Sequence, residues 1–100
     1  GEYSWKPVAW VDMSRMEELV AEGALLVDVR TKQEYESNHL AGAINVPYMD
    51  IHAIATRYLE NKEQNIILYC ATGKRSCQAK QSLEYLGYEK VHVLKTDMFA

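Results

Sequence analysis

The sequence predicts a single α/β domain, with about five strands in a mainly parallel sheet and helices on both faces. Near-continuous apolar runs lie at residues 25–29, 66–69 and 91–94, and such runs are typical of strands that are buried on both faces. Segments with helical periodicity or helix-capping residues lie between them, so that strands and helices alternate along the chain. The length of 100 residues suggests that residues 1–100 form one domain.

The N-terminal part of the chain predicts one strand and one helix. Residues 8–11 are apolar enough to form a short first strand. Ser14 and Glu17 have the spacing of a capping box, in which a hydroxyl and a carboxylate bind free N–H groups at a helix start. This helix is expected to run to about Glu22 and to stop at Gly23.

The next segment predicts a strand, a short helix and another strand. Residues 25–29 form the second strand, and Thr31 and Glu34 provide a second capping box directly after it. Residues 42–47, which begin with a glycine and end with a proline, predict a short third strand.

The second half of the chain predicts helix, strand, helix and strand. Apolar residues of segment 51–59 fall on one helical face; they are Ile51, Ile54, Ala55, Tyr58 and Leu59. Residues 61–65 interrupt this helix, and residues 66–69 form the fourth strand. A helix that begins near Ser76 and ends at Gly87 buries Ala79, Leu83 and Leu86. Residues 91–94 form the last strand.

The composition argues against several classes of function. The net charge is −3, whereas a general nucleic-acid binder needs a basic face. No apolar run approaches the roughly 18 residues of a membrane span. No signal peptide is visible, so we expect a cytoplasmic location, or a periplasmic one if a signal peptide has been removed.

The cysteines and histidines do not predict a metal centre. The chain has two cysteines, which are too few for a disulfide framework. The three histidines, His39, His52 and His92, have no ligand-like spacing to Cys70 or Cys77. We therefore expect neither a metal nor a cofactor.

The segment after the fourth strand predicts an anion-binding site. Cys70 ends the strand, and ligands of parallel α/β folds bind at the carboxyl ends of strands. The residues that follow are Ala71, Thr72, Gly73, Lys74, Arg75 and Ser76. Backbone amides of a curled loop, the start of a helix and two cations would all favour a thiolate over a thiol at Cys70. The alternative is that Cys70 is a small apolar residue at the end of a strand.

Two separate motifs resemble the signatures of a single rhodanese (sulfurtransferase) domain. The first motif comprises Asp28, Arg30, Glu34, Tyr35, His39, Leu40, Gly42, Ala43, Asn45 and Pro47. The second has the pattern Cys-x-x-Gly-x-Arg-Ser, matched by Cys70, Gly73, Arg75 and Ser76. The resemblance covers roughly residues 24–94. The Gly-Gly pair and tryptophan that usually follow the last strand in this family are absent.

The resemblance implies a sulfurtransferase that acts through a persulfide on Cys70. The donor would be a small anion, such as thiosulfate or a polysulfide, and the acceptor would be cyanide, a thiol or an acceptor protein. Residues 71–76 would bind the anion, and Asp28 and Arg30 would support the loop. We interpret Cys77 as a partly buried helix residue; the alternative is a thiol that resolves oxidised or persulfidated Cys70.

Two other functions remain open for this fold. Related cysteine phosphatases and arsenate reductase-like enzymes use a Cys-x5-Arg loop, whereas four residues separate Cys70 from Arg75 here. The shorter ring should accept a single sulfur better than a tetrahedral oxyanion. Other rhodanese-like domains have lost the cysteine and act as regulatory binding modules, but this chain retains Cys70.

Overall fold

The computed structural model describes residues 10–52, 57 and 60–99. The strands are Trp10–Val11 (β1), Leu25–Asp28 (β2), Ile44–Asn45 (β3), Ile66–Tyr69 (β4) and Val91–Leu94 (β5). The helices are Met13–Ala21 (α1), Lys32–Ser37 (α2) and Lys74–Tyr85 (α3), with a 3-10 turn at Tyr48–Asp50. Residues 51, 52 and 57 are also helical. The rest of the helix predicted over residues 51–59 lies outside the described residues, as do the first two residues of the strand predicted over 8–11.

The five strands form one parallel sheet in the order β1-β5-β4-β2-β3, which confirms the predicted α/β fold. Strand β4 is central and fully buried, between β2 and β5. From β2 the chain continues to β3 on one side, whereas from β4 it continues to β5 on the other. Such a divergence opens a crevice beyond the carboxyl ends of the two strands, where ligands of this fold class bind. The site is therefore expected beyond β2 and β4.

Side chains that alternate along the strands build a hydrophobic core on each face of the sheet. One core joins α3 to the sheet, through Val27, Ile66, Leu68, Ala79 and Leu83. The other joins α1 to the opposite face, through Met16, Leu19, Leu26, Ile67 and Tyr69. Helices therefore cover both faces, as predicted. Cys70 belongs to the core on the α3 side. No helix among the described residues is long and apolar enough to cross a bilayer.

Helix α1 begins differently from the prediction. Asp12 is its N-cap, and the Asp12 carboxylate accepts a hydrogen bond of 2.8 Å from the backbone N–H of Arg15. The capping box predicted at Ser14 and Glu17 is therefore wrong, because Ser14 already lies inside the first turn. Aspartate caps a helix as well as serine does, and the acidic residue that precedes the helix takes this role.

Helix α2 begins as predicted. The Thr31 hydroxyl accepts a hydrogen bond from the N–H of Glu34, and the Glu34 carboxylate accepts one from the N–H of Thr31. This capping box is confirmed. Helix α2 thus starts four residues after the end of β2, and the capping box holds Glu34 beyond the carboxyl end of the sheet.

Helix α3 begins at Lys74, two residues before the predicted start at Ser76. Its N-cap is Gly73, which has a φ of +89° and no side chain to cap the helix. Lys74, Arg75 and Ser76 therefore form the first helical turn and not the end of a loop.

Candidate active site

The sulfur of Cys70 lies at the base of the loop between β4 and α3. Cys70 is 2% exposed. The backbone N–H of Gly73 donates to its Sγ at 3.0 Å, and that of Ser76 donates at 3.4 Å. The Ser76 hydroxyl oxygen lies 3.4 Å from the same sulfur. Hydrogen-bond donors thus converge on the sulfur from the loop and from the first turn of α3.

These contacts favour the thiolate form of Cys70. Burial raises the pKa of the thiol, since it disfavours the charged form. Hydrogen bonds from the Ser76 side chain and from the backbone N–H groups of Ser76, Gly73 and Thr72 outweigh burial, and the pKa of Cys70 lies below its ordinary value. A thiolate is the nucleophilic form of cysteine.

The Ser76 hydroxyl has two hydrogen-bond partners but only one proton. Its oxygen lies 3.0 Å from the carbonyl oxygen of Gly73 and 3.4 Å from the Cys70 sulfur. With a thiol, the hydroxyl donates to Gly73 and accepts from the S–H. A thiolate can only accept, so the hydroxyl must then turn its proton toward the sulfur. Ser76 is fully buried, which keeps water from replacing it in either arrangement.

Gly73 holds the loop in a conformation that other residues rarely adopt. Its φ of +89° is left-handed, which a glycine adopts without the steric penalty of a Cβ. A Cβ at this position would also lie 3.1 Å from Cη2 of Trp10. Trp10 therefore packs against the outside of the loop, and both features maintain the direction of the Gly73 N–H.

The two cations after the loop have different surroundings. Lys74 is exposed, and no acidic side chain of the described residues pairs with it. Arg75 makes two parallel hydrogen bonds to Glu34, of 2.6 and 3.0 Å. The hydrogen bond from Arg75 lowers the pKa of Glu34 to about 2, although partial burial opposes this shift. Glu34 is therefore anionic at neutral pH, and the Arg75 charge is paired.

Asp28 and Arg30 form a buried ion pair at the carboxyl end of β2. Asp28 is 0% and Arg30 3% exposed. The guanidinium donates to both carboxylate oxygens, at 2.8 to 3.1 Å, and to the carbonyl oxygen of Asn38 at 2.6 Å. The Asn45 side chain donates to the backbone carbonyls of both Asp28 and Arg30. The pair thus fixes the chain beyond β2, beside the Cys70 loop.

Two aromatic rings cover the Asp28–Arg30 pair. Phe99 lies with its ring centroid 4.0 Å from Cζ of Arg30 and stacks on Tyr69. The Tyr69 hydroxyl accepts a hydrogen bond from the N–H of Leu40, and burial raises its pKa. Tyr69 is fully buried, so these residues belong to the support of the site.

Cys77 and His39 have surroundings that differ from those of Cys70. Cys77 is half-buried, and burial followed by the charge of Cys70 raises its pKa. A higher pKa disfavours the thiolate that a resolving thiol needs. The His39 ring bonds to the carbonyl of Tyr35 at 2.7 Å and stacks on the Tyr35 ring.

A groove of about 840 Å³ adjoins the outer side of the loop. It is lined by Trp10, Ala71, Thr72, Gly73, Leu94, Lys95, Thr96 and Asp97. Its walls are thus formed by the loop after β4 and the segment after β5. In the part of the chain that the structure describes, no group of three or more His, Cys, Asp or Glu side chains is placed to hold a metal ion.

Sequence reasoning placed the sulfur and its donors but missed two contacts of the loop. One is the Glu34–Arg75 pair, whose members are 41 positions apart. Glu34 follows β2 and Arg75 follows β4, and these strands are neighbours in the sheet. No strand order follows from the sequence, so neither segment carries a signal for the pair. The other is Trp10 against Gly73, for which the sequence carries no signal.

The chain belongs to the rhodanese-like domain family, because the model of this domain matches residues 12–100. Thiosulfate sulfurtransferase PspE of Escherichia coli is 34% identical over 65 residues, which are 65% of this chain and 62% of PspE. Thiosulfate sulfurtransferase 16 of Arabidopsis thaliana is 34% identical over 91 residues, which cover 81% of this chain and 76% of the relative. The chain thus spans less than two thirds of the first relative's length.

The fold is also similar to solved structures. The human single-domain sulfurtransferase TSTD1 superposes with a TM-score of 0.74 at 27% identity, covering 88% of this chain and 89% of that protein. This similarity agrees with the parallel five-stranded sheet described above.

Proposed function

We propose that this domain transfers sulfane sulfur from a small anionic donor, such as thiosulfate or a polysulfide, to a thiophilic acceptor through a persulfide on Cys70. The observation that carries this proposal is the convergence of two backbone N–H groups and one hydroxyl on a single buried sulfur. The relatives named thiosulfate sulfurtransferases support it.

In the first half-reaction, the Cys70 thiolate attacks the outer sulfur of the donor. With thiosulfate, a new S–S bond forms to Cys70 while the S–S bond of the donor breaks, and sulfite leaves with the bonding electron pair. Because the loop already favours the thiolate, this step needs no separate base.

In the second half-reaction, an acceptor attacks the terminal sulfur of the persulfide. With cyanide, a C–S bond forms, the S–S bond to Cys70 breaks and the Cys70 thiolate returns with its electron pair. A thiol acceptor first loses its proton to water and then takes the sulfur as a persulfide. The place that we propose for such an acceptor is the groove beside Ala71, Thr72 and Gly73.

The test is the mass of the intact protein after incubation with thiosulfate. We expect a gain of one sulfur atom, which disappears when cyanide is added while thiocyanate forms. Cys70→Ala should neither gain the sulfur nor form thiocyanate. Cys77→Ala is the matched control and should do both.

Thiocyanate formation at a normal rate by Cys70→Ala would overturn the proposal. Hydrolysis of an aryl phosphate without any sulfur gain would favour the phosphatase alternative. If the protein shows neither sulfur transfer nor phosphatase activity although Cys70 alkylates readily, a regulatory binding module is favoured.

A further inference from the structure

The Glu34–Arg75 pair changes the charge that a substrate meets at the loop. The two guanidinium nitrogens of Arg75 that bind Glu34 are held at 2.6 and 3.0 Å. Arg75 stands in the first turn of α3, one residue before Ser76, and interacts electrostatically with Cys70. Its partner brings one full negative charge to the same region, because Glu34 stays ionised at neutral pH.

The other charges around the loop are partly offset. Lys95 and Asp97, which have opposite charges, both line the adjoining groove. Lys74 is exposed to solvent, where water and salt screen its field. Because Arg75 is paired with Glu34, the mouth of the loop has a weaker positive field than Lys74 and Arg75 suggest from the sequence.

We propose that Glu34 determines the charge preference of the Cys70 site, so that the site favours singly charged sulfur donors, such as thiosulfonates and persulfide anions, over doubly charged thiosulfate. The donor class in this inference rests on the proposed function. Glu34 acts through Arg75 and is a positioning residue, since its carboxylate binds the guanidinium and the Thr31 N–H. Arg75 remains in place but its charge is offset.

The two donor types undergo the same reaction and differ by one charge. Cys70 attacks the outer sulfur of methanethiosulfonate, CH3SO2S−, and methanesulfinate leaves with the electron pair. With thiosulfate the same bond forms and breaks, and the dianion sulfite leaves. A negative charge beside the loop therefore slows the reaction of the dianion more than that of the monoanion.

The first test does not require sulfur transfer. Iodoacetate and iodoacetamide both alkylate Cys70 with loss of iodide, but only iodoacetate carries a charge. In a Cys77→Ala background, Glu34→Gln should raise the ratio of the iodoacetate rate to the iodoacetamide rate by about three- to tenfold, as expected from removing one charge several ångströms away in a site open to water. A change in the pKa of Cys70 affects both rates equally and cancels from this ratio.

Three controls separate the charge of Glu34 from its structural role. The amide oxygen of Glu34→Gln can still accept from Thr31, so the start of α2 is retained. Glu36→Gln removes a charge from an exposed position of the same helix and should leave the ratio within twofold of the unaltered protein. The double variant Glu34→Gln, Arg75→Gln replaces an ion pair without net charge by two uncharged side chains. It should therefore restore the original ratio of the iodoacetate rate to the iodoacetamide rate. Added salt should reduce the effect of Glu34→Gln.

The second test measures kcat/KM for the two donors with cyanide as acceptor. Glu34→Gln should raise the preference for thiosulfate over methanethiosulfonate by a similar three- to tenfold factor. If Glu34 only holds Arg75 in a productive position, both alkylation and transfer of the more highly charged reagent fall, and the inference is wrong. An unchanged alkylation ratio also overturns it. If the domain transfers no sulfur, the alkylation ratio still decides this inference, whereas the proposed function fails separately.

Discussion

Ser76 approaches the Cys70 sulfur with both its hydroxyl and its backbone N–H, each at 3.4 Å, and both hydrogen bonds lower the pKa of Cys70. We expect Ser76→Ala to raise the pKa of Cys70 and to slow its alkylation at neutral pH by about tenfold, the value of one hydrogen bond to a charged group. The measurement is the pH dependence of the iodoacetamide rate. The unaltered protein should alkylate at lower pH than an ordinary cysteine.

The control for this prediction is Ser82→Ala, which makes the same change further along α3. Ser82→Ala should leave the pH dependence of Cys70 alkylation unchanged. An identical profile for Ser76→Ala would show that the backbone N–H groups alone set the thiolate pKa.

Among the segments of the structure, the junction between β4 and α3 depends on Gly73. We expect Gly73→Ala to lower the free energy of unfolding by about 1–2 kcal/mol because of the left-handed backbone, and to slow alkylation of Cys70 because the N–H at 3.0 Å moves. The added Cβ also meets Trp10 at 3.1 Å. Urea unfolding and iodoacetamide labelling measure the two effects.

Gly23 provides a matched control for the strain at Gly73. Its φ is +104°, and a Cβ there would meet no atom within 4 Å. Gly23→Ala should therefore lower stability through the backbone alone and leave labelling of Cys70 unchanged. Equal labelling rates for both variants would contradict a specific role of the Gly73 conformation.

The Glu34–Arg75 ion pair between α2 and α3 should make the free energy of unfolding depend on pH. Because the folded-state pKa of Glu34 is about 2, below its ordinary value of 4.5, its contribution is fully present above pH 4.5 and is lost as the pH falls through about 2. The side chains of Arg75 and Glu34 are 27% and 36% exposed, so water screens the pair and the contribution should be about 1 kcal/mol or less.

The measurement is the free energy of unfolding of the unaltered protein and of Glu34→Gln, at about pH 6 and about pH 2.5. The difference between the two proteins should shrink at the lower pH. A constant difference for Glu34→Gln would argue against the pair.

At the scale of the whole molecule, stability depends on Asp28 and Arg30, whose side chains are the least exposed of the ion pairs among the described residues. Asp28→Asn leaves the buried guanidinium without its counter-charge, which should lower the free energy of unfolding by about 3–5 kcal/mol. This is a large part of the roughly 5–15 kcal/mol that stabilises a typical domain. Urea unfolding measures it, with exposed Asp50→Asn expected to change stability by less than about 0.5 kcal/mol. A comparably small effect of Asp28→Asn would show that hydrogen bonds, and not charge, hold Arg30.

The sequence predicted the sheet because its signals are local. Strands β4 and β5 are apolar runs, and a strand that is buried on both faces has such a run because consecutive side chains all lie in the core. The start of α3 was misplaced because Gly73 caps it without a side chain, whereas sequence signals for helix starts are polar side chains. The sulfur and its loop were predictable since they are contiguous. The Glu34–Arg75 pair was not, because it joins two segments through the order of strands that neither segment encodes.

The central position of β4 has a consequence for the timescales on which the site moves. Strand β4 is hydrogen-bonded to a strand on each side and is fully buried, so its amide protons should exchange with solvent only when the whole domain unfolds. The Thr72 side of the loop is exposed, and its amide protons should exchange through small local openings. The nucleophile is thus attached to the slowest-exchanging part of the molecule, whereas the loop N–H groups of Thr72 and Gly73 that help to tune it belong to a faster one. Ser76, the remaining donor, is buried in α3. Brief openings of the loop would then change the charge state of the sulfur without displacing its backbone.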